Sequence, residues 1–385
     1  MDKITHRQRF LDRINGKTVD KIPFFPDLSK WYEYNRYGNG QWSKVYAPGA
    51  LIHPDDEINR LAGIMPEIFK NKNLFEIHDY FDCGIPVHGY NSYMKIVLNN
   101  VKIENSSNGQ ETITIWKTPK GNLRQISRMA ADHSMCTKEY FLKSADDFHI
   151  LEYIFMNSEL IPNYKETENS LNVIGERGYL NLVINRSPMG KLLHDYMGIE
   201  NLSYSLFDNL KQLEHLLQVI LEHDRKVWKI AAEAPAKIAV MSDNMDEYLV
   251  SPEWYKTYFL PVYQEMNGVL HKGGKKVLTH MDGRMKNLLP MIKVTGFDVL
   301  DGCTPLPMND FEPSDLAAAL GRDQYAYCGI PAPFFIQKME EQQILDFAQK
   351  IIDQMGDKLI LCIGDIMPQN GKFELIGKIS GLLRQ

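Results

Sequence analysis

The chain has 385 residues, 44% of them hydrophobic, and a formal net charge of −6. A balance this mildly acidic, with no basic stripe and no long run of one sign, argues against nucleic acid or an anionic membrane surface as a partner. The five cysteines (Cys83, Cys136, Cys303, Cys328 and Cys362) are odd in number and form no CxxC pair, which argues against a disulfide framework and for a reducing compartment.

Taken in chain order, the opening Met1-Asp2-Lys3-Ile4-Thr5-His6-Arg7 lacks the apolar stretch of a signal peptide. The longest apolar runs, such as residues 359–363, are too short to cross a bilayer. A soluble cytoplasmic protein with no membrane partner is expected. Residues 22–25 read as a first strand ending at Pro26-Asp27. The aromatic stretch of Trp31, Tyr32 and Tyr34 follows, and it either lines a pocket or packs as a surface helix on the fold. Asn39-Gly40 reads only as a turn, and residues 85–87 as another short strand.

Residues 94–103, 111–116 and 122–127 are strand-like. The first two are separated by Glu104-Asn105-Ser106-Ser107-Asn108-Gly109, whose Asn-Gly pair favours the φ > 0 turns of hairpins. Residues 94–130 are therefore expected to form an antiparallel ribbon inserted in a larger fold.

From about residue 178 a regular pattern begins. Short apolar runs at 180–184, 237–241, 276–279, 297–300, 324–327 and 359–363 each end in small or polar residues. Helix-like segments separate them. In residues 209–232, Leu213, Leu216, Leu217, Ile220 and Leu221 fall at i, i+3, i+4 spacing, and Leu289–Val294 follows a similar rule. Continuous apolar strands alternating with amphipathic helices imply buried parallel strands. About eight such units predict an α/β fold of the closed (β/α)8 TIM-barrel type, whose chemistry sits at the C-terminal strand ends. No repeat and no Pro/Ser/Gly-rich linker divides the chain, so residues 1–385 are expected to form one domain.

The strand ends hold the candidates. His280 and Asp282, two apart before Gly283, can both point to the barrel mouth for metal ligation or acid–base work. The plainer alternative is a histidine orienting a loop, with Asp282 capping the next helix. Asp301 and Cys303 end the next strand, where Cys303 is either a thiolate ligand or a small buried hydrophobe. Asp365 follows the last strand, as a ligand or as the carboxylate of a Gly-Asp-x-x-Pro turn. Cys328 and Cys362 read more simply as core. Asp243 and Asn244 precede His280 by one strand and suit a substrate hydroxyl, acid–base work or support of the histidine. Asp27, Trp31, Asn185 and Met281 complete the residues read as lining a substrate or a flat hydrophobic cofactor. GxGxxG, GxxxxGK[ST], GxSxG and HExxH are all absent, so nucleotide cofactors have no support.

Several segments together resemble the uroporphyrinogen decarboxylase superfamily. They are Arg7-Gln-Arg-Phe-Leu-Asp-Arg-Ile-Asn-Gly-Lys with Asp20-Lys-Ile-Pro, Phe259-Leu-Pro, His271-Lys-Gly-Gly-Lys-Lys, His280-Met-Asp-Gly-Arg and Gly296-Phe-Asp-Val-Leu. The resemblance spans nearly the whole chain and is strongest after residue 180. It implies the same barrel, with a cleft at the strand C-termini. Family decarboxylases carry a basic Arg-Gln-Ala-Gly-Arg-type segment after the first strand to grip substrate carboxylates, whereas this chain has Phe25-Pro-Asp-Leu-Ser-Lys-Trp. The branch that moves methyl groups to or from a corrinoid or thiol uses zinc on His-x-Cys, sometimes a glutamate, and a last cysteine. Here His280 matches the histidine, Asp282 stands at the first cysteine, Cys303 near the glutamate and Asp365 near the last cysteine. Two carboxylates thus replace thiolates, in a set of His280, Asp282, Cys303 and Asp365 that zinc can still accept.

The resemblance therefore implies an enzyme: a methyltransferase component taking a methyl group from a small methoxylated or methylated substrate, as in O-demethylation, to a corrinoid on a partner protein, with zinc activation. A homodimer is compatible with it. A metal-free decarboxylase or lyase, with His280 and Asp282 as proton donor and partner, is the alternative chemistry. A non-enzymatic tetrapyrrole- or corrinoid-binding barrel is the third.

Overall fold

The computed structural model describes residues 4–37, 65–90, 92–129 and 135–383. The turn expected at Asn39-Gly40 lies outside them. In chain order the strands are β1 (Ile85–Gly89), β2 (Met94–Leu98), β3 (Lys102–Ser107), β4 (Glu111–Thr118), β5 (Gly121–Met129), β6 (Met135–Glu139), β7 (Ser158–Pro162), β8 (Gly178–Ile184), β9 (Ile238–Met241), β10 (Lys276–His280), β11 (Val299–Cys303), β12 (Tyr325–Pro331) and β13 (Leu359–Gly364).

The main sheet runs β1-β8-β9-β10-β11-β12-β13, every neighbour parallel. The segment predicted as the first strand closes it. Phe24 bridges Leu361 of β13 in parallel, with Phe25 N donating to Leu361 O (2.9 Å) and Leu361 N to Pro23 O (2.8 Å). On its other edge Phe24 O accepts from Gly84 N (2.8 Å), beside β1. This short stave stands eighth between β13 and β1, so the chain forms the (β/α)8 TIM barrel expected from the pattern.

The side-chain alternation sorts the core into two shells. Tyr179, Val183, Ile238, Val240, Leu278, Val299, Tyr325, Tyr327, Ile360 and Cys362 fill the barrel interior. Residues between them in sequence, such as Leu180, Leu182, Val277, Leu300, Leu359 and Leu361, pack outward with the helices. β8 and β13 are buried at every position, which is what covering both faces of a strand produces. The helix Leu210–Glu233 buries Leu213, Leu216, Ile220 and Val227, the apolar stripe read from its spacing. Residues Leu289–Val294 form a 3-10 helix of six residues. No helix among the described residues is long and apolar enough to cross a membrane.

The first helix, His6–Ile14, stops the barrel's N-terminal end. Its Phe10 and Ile14 belong to the interior, and Phe10 stacks on Tyr179 at 3.9 Å between ring centroids. Arg9, almost wholly buried, donates to both oxygens of Asp20 (2.6 and 2.8 Å), and Arg13 to Asp357 (3.0 Å). Of the arginines in the N-terminal signature, Arg9 and Arg13, four apart, thus share the buried helix face.

The ribbon differs from expectation in one respect. Residues 94–103 do not form one run. β2 pairs antiparallel with β7, and a separate four-stranded sheet, β3-β4-β5-β6, follows. The chain breaks at Asn99-Asn100, where Asn100 adopts φ +58°, a conformation asparagine tolerates better than most residues. At the predicted hairpin, Gly109 takes φ +90° and the Asn108 side chain accepts from Gln110 N and Glu111 N (3.0 and 2.7 Å).

Candidate active site

The C-terminal ends of the parallel strands surround a cavity of about 860 Å³. Its wall includes Asp27, His88, Asn185, Arg186, Asn244, His280, Asp301 and Asp365. Alternation explains the membership. Leu278 points inward from β10, so His280, two residues on, does too, and Asp301 follows inward-facing Val299 in the same way.

Three groups converge there. His280 Nε2 lies 3.6 Å from Asp282 Oδ2 and 3.9 Å from Asp365 Oδ2. The ligand atoms of the three residues all fall within 4.8 Å of one another. Asp301, the register partner of His280 on β11, faces the other ring nitrogen, with Oδ2 3.8 Å from Nδ1. The ring lies against Gly302, where a Cβ would stand 2.8 Å from Cε1. Asn244, in a left-handed conformation (φ +48°), donates to Asp282 Oδ2 at 3.4 Å.

The electrostatics follow from crowding. Burial works against a charged His280, but the nearby carboxylates of Asp282, Asp301 and Asp365 outweigh it and lift its pKa well above the usual imidazole value. Burial likewise opposes ionisation of Asp282, but His280 holds that carboxyl below the ordinary carboxylate range. The Asp365 carboxyl is raised. The low-dielectric wall acts first, although 48% of its side chain still reaches solvent, and Asp301, Asp282 and Asp27 add repulsion against the relief given by His280.

The donor set of one imidazole nitrogen and two carboxylate oxygens fits zinc. Two metal–ligand bonds of about 2.0–2.2 Å each span the 3.6 and 3.9 Å separations. Three protein ligands and an open fourth position are the arrangement of catalytic zinc sites.

Not every predicted residue joins this constellation. Cys303, expected as a candidate fourth ligand, is not brought to it. Gly302 takes φ +75° and the β11–β12 register shifts between Leu300 and Cys303, so the thiol turns out of the barrel. It is fully buried in the outer shell, its Sγ on Asp301 O at 3.8 Å. Burial, with Cys328 and Asp301 adding to it, pushes that thiol well up. Asp243 also points away from the cavity. It accepts from Ser187 N (2.8 Å) and Tyr263 OH (2.6 Å) and packs against Gly190. Trp31 sits in the core, its ring centroid 6.1 Å from Phe69 and 5.2 Å from Phe373. Met281 is buried in the outer shell too. Asp27 lines the cavity, accepts from Ser29 N (2.8 Å) and lies 3.8 Å from His88 Nε2. Asn185 lines it as well.

Several cavity residues, among them His88, Asp301 and Arg186, are not singled out as site members by the sequence reading. Asp301 was noted only as a strand end, although alternation with Val299 points it to the mouth. Arg186 ends β8 between Asn185 and Ser187, and nothing in its local pattern separates a cavity arginine from a surface one.

The comparisons agree with the architecture. Residues 191–378 match the family model described as Uroporphyrinogen decarboxylase (URO-D), a span that contains His280, Asp282, Asp301 and Asp365. Among solved structures, a methyltransferase from Methanosarcina mazei superposes with a TM-score of 0.63 at 12% identity, covering 99% of this chain and 98% of that one. A B12-independent methionine synthase from Shewanella sp. W3-18-1, in complex with selenomethionine, matches over 80% of this chain and 85% of that one, at 10% identity and a TM-score of 0.44. At 12% identity the likeness to the methyltransferase is one of fold. No curated protein has a sequence that matches this one.

Proposed function

From the match of residues 191–378 to the uroporphyrinogen decarboxylase family model and from the barrel fold, we propose that the chain is a methyltransferase component. It takes a methyl group from a small methoxylated or methylated substrate and passes it to the corrinoid of a partner protein. The observation that carries this reading is the convergence of His280, Asp282 and Asp365 at the mouth of the barrel.

His280 Nε2 and one oxygen each from Asp282 and Asp365 would hold zinc. When bound there, zinc supplies Lewis acidity to the substrate's ether oxygen, which makes the leaving alkoxide or phenolate easier to expel. The chain's own groups prepare that site. Asp301 faces Nδ1 at 3.8 Å and orients the ring so that Nε2 points at the two carboxylates. Asn244 steadies Asp282 by donating to it. Asp27 and Asn185 line the space for the substrate. Tyr179 and Val183 give the same cavity an apolar floor, which limits the water reaching the reacting end.

Elemental analysis of protein purified without chelator tests the reading. About one zinc per chain is expected in the wild type and a large loss in His280→Ala. Methyl transfer from a methoxy compound to added cob(I)alamin should fall with the metal. Absence of zinc from both proteins would refute the metal centre.

One observation favours a second chemistry. Three carboxylates around His280 stabilise its protonated form, as a proton donor in a metal-free decarboxylase requires. Turnover that survives exhaustive chelation would select it.

A further inference from the structure

Arg186 stands at the end of β8 with its side chain 24% exposed, on the wall of the same cavity. Three acceptors from two segments, Asp195 and the loop after β9, fix its guanidinium. Nε donates to Asp195 Oδ1 (3.3 Å), and Nη1 donates to the Ser242 carbonyl and to Asn244 Oδ1 (3.1 Å). Among the described residues Nη2 has no hydrogen-bond acceptor. A largely buried guanidinium held rigid, with one nitrogen left over beside a cavity, is a prepared donor for an oxyanion. Its place relative to the cluster is set by one amide: Asn244 accepts from Arg186 at 3.1 Å and donates to Asp282 at 3.4 Å. Arg186 lines the same cavity as His280 and Asp365.

We propose that Arg186 recognises a carboxylate on the substrate, so that the methyl donor is a small carboxylic acid whose methoxy or methyl end lies at the His280 cluster. This rests on the cluster being the reacting end. The cavity, about 860 Å³, falls in the range of small-molecule sites. Asp195 both pairs with the guanidinium and disfavours a dianion beside it, which selects a singly charged group.

Calorimetric binding of two matched pairs tests this: 4-methoxybenzoate with 4-methoxybenzamide, and methoxyacetate with methoxyacetamide. Each is measured on the wild type, Arg186→Gln and Arg186→Lys, after thermal melts establish that the variants are folded. At least one carboxylate should bind the wild type tenfold or more tighter than its amide. The preference should vanish in Arg186→Gln, be partly kept in Arg186→Lys, and leave amide binding unchanged. Equal affinity within both pairs, no binding by any probe, or a preference that survives Arg186→Gln would overturn the assignment. In that last case the carboxylate is held elsewhere, and repeating the titration on chelated protein shows whether the metal holds it. Binding is read without turnover, so failed methyl transfer leaves this result intact, and a lost carboxylate preference leaves the metal reading untouched.

Discussion

His280 and Asp301 occupy one register position on adjacent parallel strands, and Asp301 Oδ2 faces His280 Nδ1 at 3.8 Å. The pairing gives the imidazole a defined direction, because a carboxylate on Nδ1 leaves Nε2 as the nitrogen turned to Asp282 and Asp365. Asp301→Asn removes that charge while keeping the shape. Zinc affinity, read by competition with a chromogenic chelator, should fall about 10- to 100-fold. Unchanged affinity would mean that Asp301 has no part in placing the ring.

Gly302 takes φ +75°, and a Cβ there would lie 2.8 Å from His280 Cε1 and 2.9 Å from Nδ1. Gly302→Ala forces both the backbone and the ring to move. A loss of about 1–2 kcal/mol from the left-handed backbone is expected in urea unfolding, together with weaker metal binding. Metal binding at wild-type strength in a folded variant would show that the ring need not rest on this glycine.

Asp243 joins two buried donors, Ser187 N and Tyr263 OH, on the outer side of the barrel wall. Asp243→Ala orphans both, at a cost of roughly 1–3 kcal/mol for each unsatisfied group. The variant should unfold at markedly lower urea yet carry the wild-type amount of metal. Normal stability with lost metal would return Asp243 to the site.

Cys303→Ala is expected to leave metal content and affinity unchanged, since the thiol packs in the outer shell and contacts the Asp301 carbonyl. A lowered zinc content with intact folding would contradict the placement of Cys303.

His78 offers a test of acid stability away from the mouth. It is fully buried, its Nδ1 is 3.0 Å from the Gly84 carbonyl, and Nε2 has no partner. Burial pushes its pKa from 6.5 down to about 3, against a smaller opposing effect of the Gly84 hydrogen bond. The folded state therefore keeps the ring neutral while the unfolded chain takes up a proton below pH 6.5. Stability should fall on acidification from about pH 6.5 toward pH 3, by up to about 1.4 kcal/mol per pH unit from this group. His78→Gln should make urea stability less steep in pH across that window, and an identical slope in both proteins would count against the assignment.

The barrel was legible in the chain because its cause is local. A parallel strand covered on both faces is mostly apolar, and residues 180–184, 237–241, 276–279 and 359–363 are such runs, each followed by small or polar residues. The same logic placed His280 and Asp282 at the mouth. It could not say which strand ends meet. Asp365 joins them because the curvature of the barrel turns the end of β13, three strands from β10 in the sheet order, toward the same mouth. Cys303 leaves because one glycine at φ +75° and a register shift reverse the direction its spacing predicted. Arg186 enters the cavity wall through Asp195, Ser242 and Asn244, partners that only folding brings to it. Periodicity along the chain determined the staves and their polar ends. The direction and neighbours of each side chain depend on backbone torsion and on contacts between segments distant in sequence, so the tertiary structure alone decided the composition of the site.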